Sequence, residues 1–184
     1  GCPFDEVRYN SLLEGLEAKT IPYSELFIDN EKFRFDDEFF MKKYIVAYQS
    51  VKEKENILFG SIIDVLTDFH ANGSYESIAK VFALLDTKSY AYMVRTTDLE
   101  KKDYESDVKY ITQDCYNYLS KSQLYGGELL INKIGNPGES YIMPKLDYPS
   151  SLGMNLFMIR IKKDSDYNTK FIWAYLNTNI GRHI

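Results

Sequence analysis

Glu128-Leu129-Leu130-Ile131-Asn132-Lys133-Ile134, Gly135-Asn136-Pro137-Gly138 and Ser140-Tyr141-Ile142-Met143 follow one another almost without interruption. An apolar run of strand length, a tight turn and a second short apolar run read as a β-hairpin, the clearest in the chain. Gly135 and Gly138 supply backbone angles that side chains forbid. Working outward, Asn155 to Ile161 reads as a further buried strand, and Tyr90 to Arg95 as a strand whose alternation is too weak to say which face is buried. Thr112 caps a short helix carrying Cys115, Tyr116 and Leu119. Asn168 caps a final helix from Thr169, with Phe171, Ile172, Tyr175 and Leu176 on its apolar side.

Towards the N-terminus, Ile62, Ile63, Val65, Leu66 and Phe69 fit a short amphipathic helix, followed by a turn-rich loop, His70 to Ser74. Phe39, Phe40, Tyr44, Ile45 and Tyr48 fall at helical spacing behind the acidic Asp36-Asp37-Glu38, which predicts a helix over about 37–51. Pro22 breaks any long helix, and a short turn is expected near Ser24. The charged stretch Val51 to Asn56 marks a boundary between an arm, residues 1–57, and a main domain, residues 58–184. Helices and strands interleave irregularly with at least one antiparallel pair, so the class is α+β: a twisted, mostly antiparallel sheet with packed helices and an N-terminal helical arm.

The chain has 184 residues, of which 45% are apolar, enough to bury a core, and this excludes disorder. No apolar run approaches the ~20 residues that span a bilayer, and no basic-then-apolar leader is seen. Cys2 and Cys115 make neither a disulfide framework nor a metal-ligand spacing, so a cytoplasmic protein is expected. A start at Gly1-Cys2 and an end inside a helical pattern suggest a piece of a longer polypeptide.

A net charge of −5 argues against a general polyanion binder. Residues 1–120 carry 14 Lys and Arg against 22 Asp and Glu, whereas residues 121–184 carry 8 against 5, leaving the last third able to present a modest basic face. Sixteen tyrosines suit either sheet faces or binding surfaces.

Catalytic constellations are missing. No phosphate-cradling glycine motif occurs. Asn136-Pro137-Gly138 lacks the second proline and the aromatic of an adenine methyltransferase motif. His70 and His183 stand apart with no zinc partners, and Cys115 reads as a buried, inert thiol. Asp36, Asp37 and Glu38 are better explained as helix caps than as nuclease ligands. The chain is read as non-catalytic, with no metal or cofactor of its own.

The segments GELLINKIGNPG at 127–138 and YIMP at 141–144 resemble the hairpin motif in target-recognition domains of type I restriction-modification specificity subunits, and of related adenine-specific DNA methyltransferases and fused restriction-modification enzymes. DVLTDFHANGSYESI at 64–78, VRTTDL at 94–99, YITQDCYNYL at 110–119, NLFMIRIK at 155–162 and FIWAYLNTNIGRHI at 171–184 are similar to other parts of that family in the same order. FRFDDEFF at 33–40 resembles a segment often found just ahead of it. Only one such domain is present, and no long coiled-coil spacer.

The resemblance implies a target-recognition-domain-like fold in a bacterial, cytoplasmic restriction system. The partners would be double-stranded DNA and a methyltransferase module outside this chain, with a nuclease module in those members of the family that carry one. S-adenosylmethionine would be bound by that methyltransferase module. Reading base edges needs donor and acceptor side chains on loops held by a sheet. The candidates are Asn72, Ser74 and Tyr75 in the turn-rich loop; Arg95, Thr96 and Thr97 at a strand end; Lys133 and Asn136 about the hairpin turn; and Ser150, Ser151 and Asn155 before the last strand. Arg95, Lys133 and Lys145 or Arg160 would surround one basic cleft. Two other readings stay open: a docking module that leaves DNA untouched, and a metal-dependent nuclease using Asp36 and Asp37.

Overall fold

The computed structural model describes residues 3–16, 20–28, 30, 33–35, 39–54, 56–178 and 181–182. Two units divide the chain, one up to Ile57 and the other Leu58–Arg182. In the first, α1 (Glu6–Leu13) is capped by Asp5, whose carboxylate accepts from Arg8 N–H at 3.0 Å. A 3-10 turn, Tyr23–Glu25, and α2 (Lys42–Lys52) follow. The helix expected over 37–51 thus starts later, after Met41, with no side-chain cap. Asp36, Asp37 and Glu38, expected to cap it, lie outside the described residues.

The second unit runs α3 (Phe59–Ile62), β1 (Ile63–Asp68), a 3-10 turn (Phe69–Asn72), α4 (Tyr75–Ala79), β2 (Ala91–Val94), α5 (Thr96–Lys101), β3 (Lys109–Ile111), α6 (Gln113–Tyr118), a 3-10 turn (Ser120–Ser122), β4 (Gln123–Leu124), β5 (Leu129–Asn132), β6 (Ser140–Ile142), β7 (Ser150–Leu152), β8 (Leu156–Ile161) and α7 (Thr169–Leu176). The class is α+β, with two four-stranded sheets in place of the single sheet expected: β1-β8-β5-β6 and β3-β2-β7-β4. Every pairing is antiparallel except β2 with β7.

The hairpin forms as read, with Leu129 opposite Ile142 and Ile131 opposite Ser140. Both caps hold: Thr112 Oγ1 accepts from Cys115 N–H, and Asn168 Oδ1 from Lys170 N–H. The helix expected through Ile62 to Phe69 is instead strand β1, because β8 supplies a partner along its length, from Ile63 opposite Ile161 to Asp68 opposite Phe157. Ladder bonds and two faces of contact outweigh a five-residue helical pattern.

Side chains from both sheets share the main core: Tyr92, Val94, Leu124 and Leu152 from one, and Leu130, Leu156 and Met158 from the other. Truncating a fully buried member such as Leu130 to Ala costs about 2–5 kcal/mol. On the far side of β2, Ala91 and Met93 pack with Cys115, Leu119, Phe69 and Ile78. Strand β2 is therefore covered on both faces, which explains its missing alternation. Ile172 of α7 packs on Leu129 and Ile159, and Trp173 Nε1 donates to Ser140 O at 2.8 Å along edge strand β6. Among the described residues, no helix is long and apolar enough to cross a membrane.

Candidate nucleic-acid interface

Strand β5 ends at Asn132 and places a polar rim at one end of its sheet. Asn132 is buried, and its Oδ1 accepts from Thr96 Oγ1 at 3.0 Å, joining the start of α5 to the hairpin. Lys133 N–H donates to Asn155 O at 2.8 Å. Thr96, Lys133 and Asn155 are thus brought together, with Arg95 and exposed Thr97 flanking Thr96 and exposed Asn136 in the adjoining turn. The Asn132 amide also lies 3.5 Å from the Tyr141 hydroxyl. Burial first, then the Glu139 and Glu100 carboxylates, push that hydroxyl up to about 12. Donors and acceptors are plentiful on this rim.

Its cations are already engaged. Arg95 donates through Nη2 to Asp98 Oδ1 at 2.7 Å and through Nε to Oδ2 at 3.2 Å, while its backbone N–H caps the same carboxylate at 2.8 Å. Asp98 is 97% buried, and Arg95 also reaches the Asp107 carbonyl. The Arg-x-x-Asp-Leu segment is therefore a self-contained helix start, with Leu99 in the core. Lys133 Nζ sits 2.9 Å from Asp68 Oδ2 and over the Phe157 ring. Burial raises the Asp68 carboxyl, but the Lys133 ammonium and the Ala71 N–H outweigh it, and the net displacement is downward. Arg160 is bound to Glu128. The basic cleft expected from Arg95, Lys133 and Arg160 is corrected on this ground: each cation has an acidic partner within the domain. Arg160 also meets its partner Glu128 just before β5, whereas Lys133 follows β5 at the other end of that strand.

Other candidates take structural places. Ser150 and Ser151, expected on a loop, lie in β7, 1% and 0% exposed, with hydroxyls turned to Tyr148 O and Ser122 O. A side chain so enclosed cannot reach a base edge. Asn72 donates to Phe69 O and Ser122 Oγ and accepts from Lys121 N–H, clamping two 3-10 turns together. Ser74, itself exposed, caps α4 through Ser77 N–H, and Tyr75, the first residue of that helix, is 78% exposed.

Sequence reasoning missed Asn132, Tyr141 and Asp68, which organise the rim. A buried Asn ending an apolar strand was the available signal. Cys115 is buried, and burial pushes its thiol up. His70 lies 4.0 Å from Asp68. Among the described residues no group of three or more His, Cys, Asp or Glu is placed to hold a metal ion. Asp36, Asp37 and His183 lie outside the described residues. No family model matches the chain, and no curated protein matches its sequence.

Proposed function

We propose that the Leu58–Arg182 unit is a sequence-reading module for double-stranded DNA in a cytoplasmic restriction-modification enzyme. In this reading it positions a target adenine for a methyltransferase module elsewhere, where S-adenosylmethionine is bound, and for a nuclease module where the enzyme carries one. The observation that carries it is the meeting of Thr96, Lys133, Asn136 and Asn155 at one sheet end. Neutral donors and acceptors fixed on a sheet suit base-edge readout. With Arg95 and Lys133 already paired, the rim neutralises few phosphates, so binding by this chain alone is weak and its salt slope shallow.

The test is selection of duplexes from a randomised pool by the full chain in low salt. Enrichment of one short motif, reduced by Asn136→Ala and Asn155→Ala, is expected; equal recovery of all sequences would refute base reading. The docking alternative draws on Leu66 and Phe157, 62% and 40% exposed, which share the α7-side face of their sheet. Co-purification of a methyltransferase subunit abolished by Leu66→Asp, with no duplex enrichment, would favour it.

A further inference from the structure

At the other end of β5 the chain builds an aromatic surface that the rim does not use. Glu128, 3% exposed at its side chain, accepts from Tyr125 N–H and Gly126 N–H, both at 2.8 Å, and holds Arg160. This fixes the backbone under Tyr125. The Arg160 guanidinium lies 4.8 Å from the Tyr125 ring centroid, and the Tyr125 hydroxyl donates to Gln123 Oε1 at 2.9 Å. Gln123 in turn donates to Tyr116 O, and the Tyr116 and Tyr90 rings are 5.6 Å apart. Burial first, then the Tyr125 and Tyr90 phenols, raise the Tyr116 hydroxyl. Tyr125 is nevertheless 63% exposed and Tyr90 40%.

A tyrosine held on one face and at its hydroxyl, yet left open to solvent, contributes little to a core. Its free surface is pre-ordered for a flat partner, so little side-chain entropy is lost on contact. Gly126, at φ +94°, lies so close to Lys145 that a Cβ there would stand 2.8 Å from the Lys145 Cα. Lys145 is exposed and has no ion pair among the described residues.

We propose that Tyr125, backed by Arg160 and flanked by Tyr116 and Tyr90, stacks an unpaired base of a nucleic-acid strand whose phosphate is met by Lys145. A ring backed by a guanidinium whose charge Glu128 already meets, with the backbone of exposed Lys145 against neighbouring Gly126, matches a nucleotide, base on ring and phosphate on Lys145. A neutral sugar would use the ring and leave Lys145 idle. The inference shares the nucleic-acid class of the proposed function but rests on different residues.

The test uses the full chain with a labelled short oligothymidylate, a duplex of equal length and a neutral oligosaccharide, by fluorescence anisotropy in low salt. Tyr125→Ala is expected to weaken oligothymidylate binding roughly tenfold and Tyr125→Phe to stay within about twofold of wild type. Lys145→Glu, at an exposed site, is expected to weaken it as well. Unchanged affinity in both Tyr125→Ala and Lys145→Glu overturns the proposal, as does Tyr125-dependent binding of the oligosaccharide with none of the oligothymidylate. If Tyr125 governs the single strand while the duplex pool shows no motif, this inference stands and the sequence-reading function fails. The reverse result separates them the other way.

Discussion

Replacing Glu128 by Gln probes the centre of the Leu58–Arg182 unit with almost no change in shape. One carboxylate serves four donors: Tyr125 N–H and both Arg160 groups on Oε1, and Gly126 N–H on Oε2. An amide keeps only one acceptor oxygen. Turned towards Oε1, it leaves its own NH2 facing the Gly126 N–H, and a buried donor without an acceptor costs about 1–3 kcal/mol. Loss of the charge beside Arg160, itself 28% exposed, adds about 1 kcal/mol after solvent screening. The expected total is about 2–4 kcal/mol, or a midpoint drop of about 1–2 M urea for a slope near 2 kcal/mol/M. Urea titration followed through the single tryptophan, Trp173, reads it directly, since its indole is bonded to β6 of the same sheet. Glu76→Gln, at an exposed position of α4, is the control and is expected to stay within about 0.5 kcal/mol. A Glu128→Gln midpoint indistinguishable from the control would show that the carboxylate does not hold this corner.

Thr96→Val leaves the buried Asn132 Oδ1 short of a donor, and urea titration should show a loss of about 1–2 kcal/mol. Because the Asp68 carboxyl is depressed in the folded chain, its contribution is present above the unfolded value near 3.9 and is lost as pH falls through the folded value. Lys133→Met should therefore flatten the acid limb of stability against pH, measured by melting temperature between about pH 5 and 2. Ser151→Ala should leave duplex affinity unchanged while Asn155→Ala lowers it in the same anisotropy assay, as their burial and exposure require.

Local chemistry made some elements legible. Thr112 and Asn168 announce helix starts because a cap is a bond made within three residues, and the Asn-Pro-Gly turn between two apolar runs announces the hairpin. Segment 62–69 was ambiguous because Ile62, Leu66 and Phe69 satisfy a helical spacing while Ile63, Val65 and Thr67 satisfy a strand. The decision lay with β8, nearly a hundred residues away. Strands β4 and β7 are two and three residues long, the second mostly serine, too short for alternation to appear. At the rim, Arg95 and Lys133 were visible as charges, but the Asp68 that occupies Lys133 is distant in sequence, and only the fold shows that the ammonium is already engaged.

The parallel pairing of β2 with β7 bears on how the chain matures. Tyr92 meets Ser150 only after both the hairpin and the segment following it have been synthesised. Until then one edge of a wholly apolar strand, Ala91 to Val94, stays without a ladder partner. On a ribosome this half of the protein closes late, so a nascent chain stalled before Ser150 presents a sticky edge and is a natural client for chaperones.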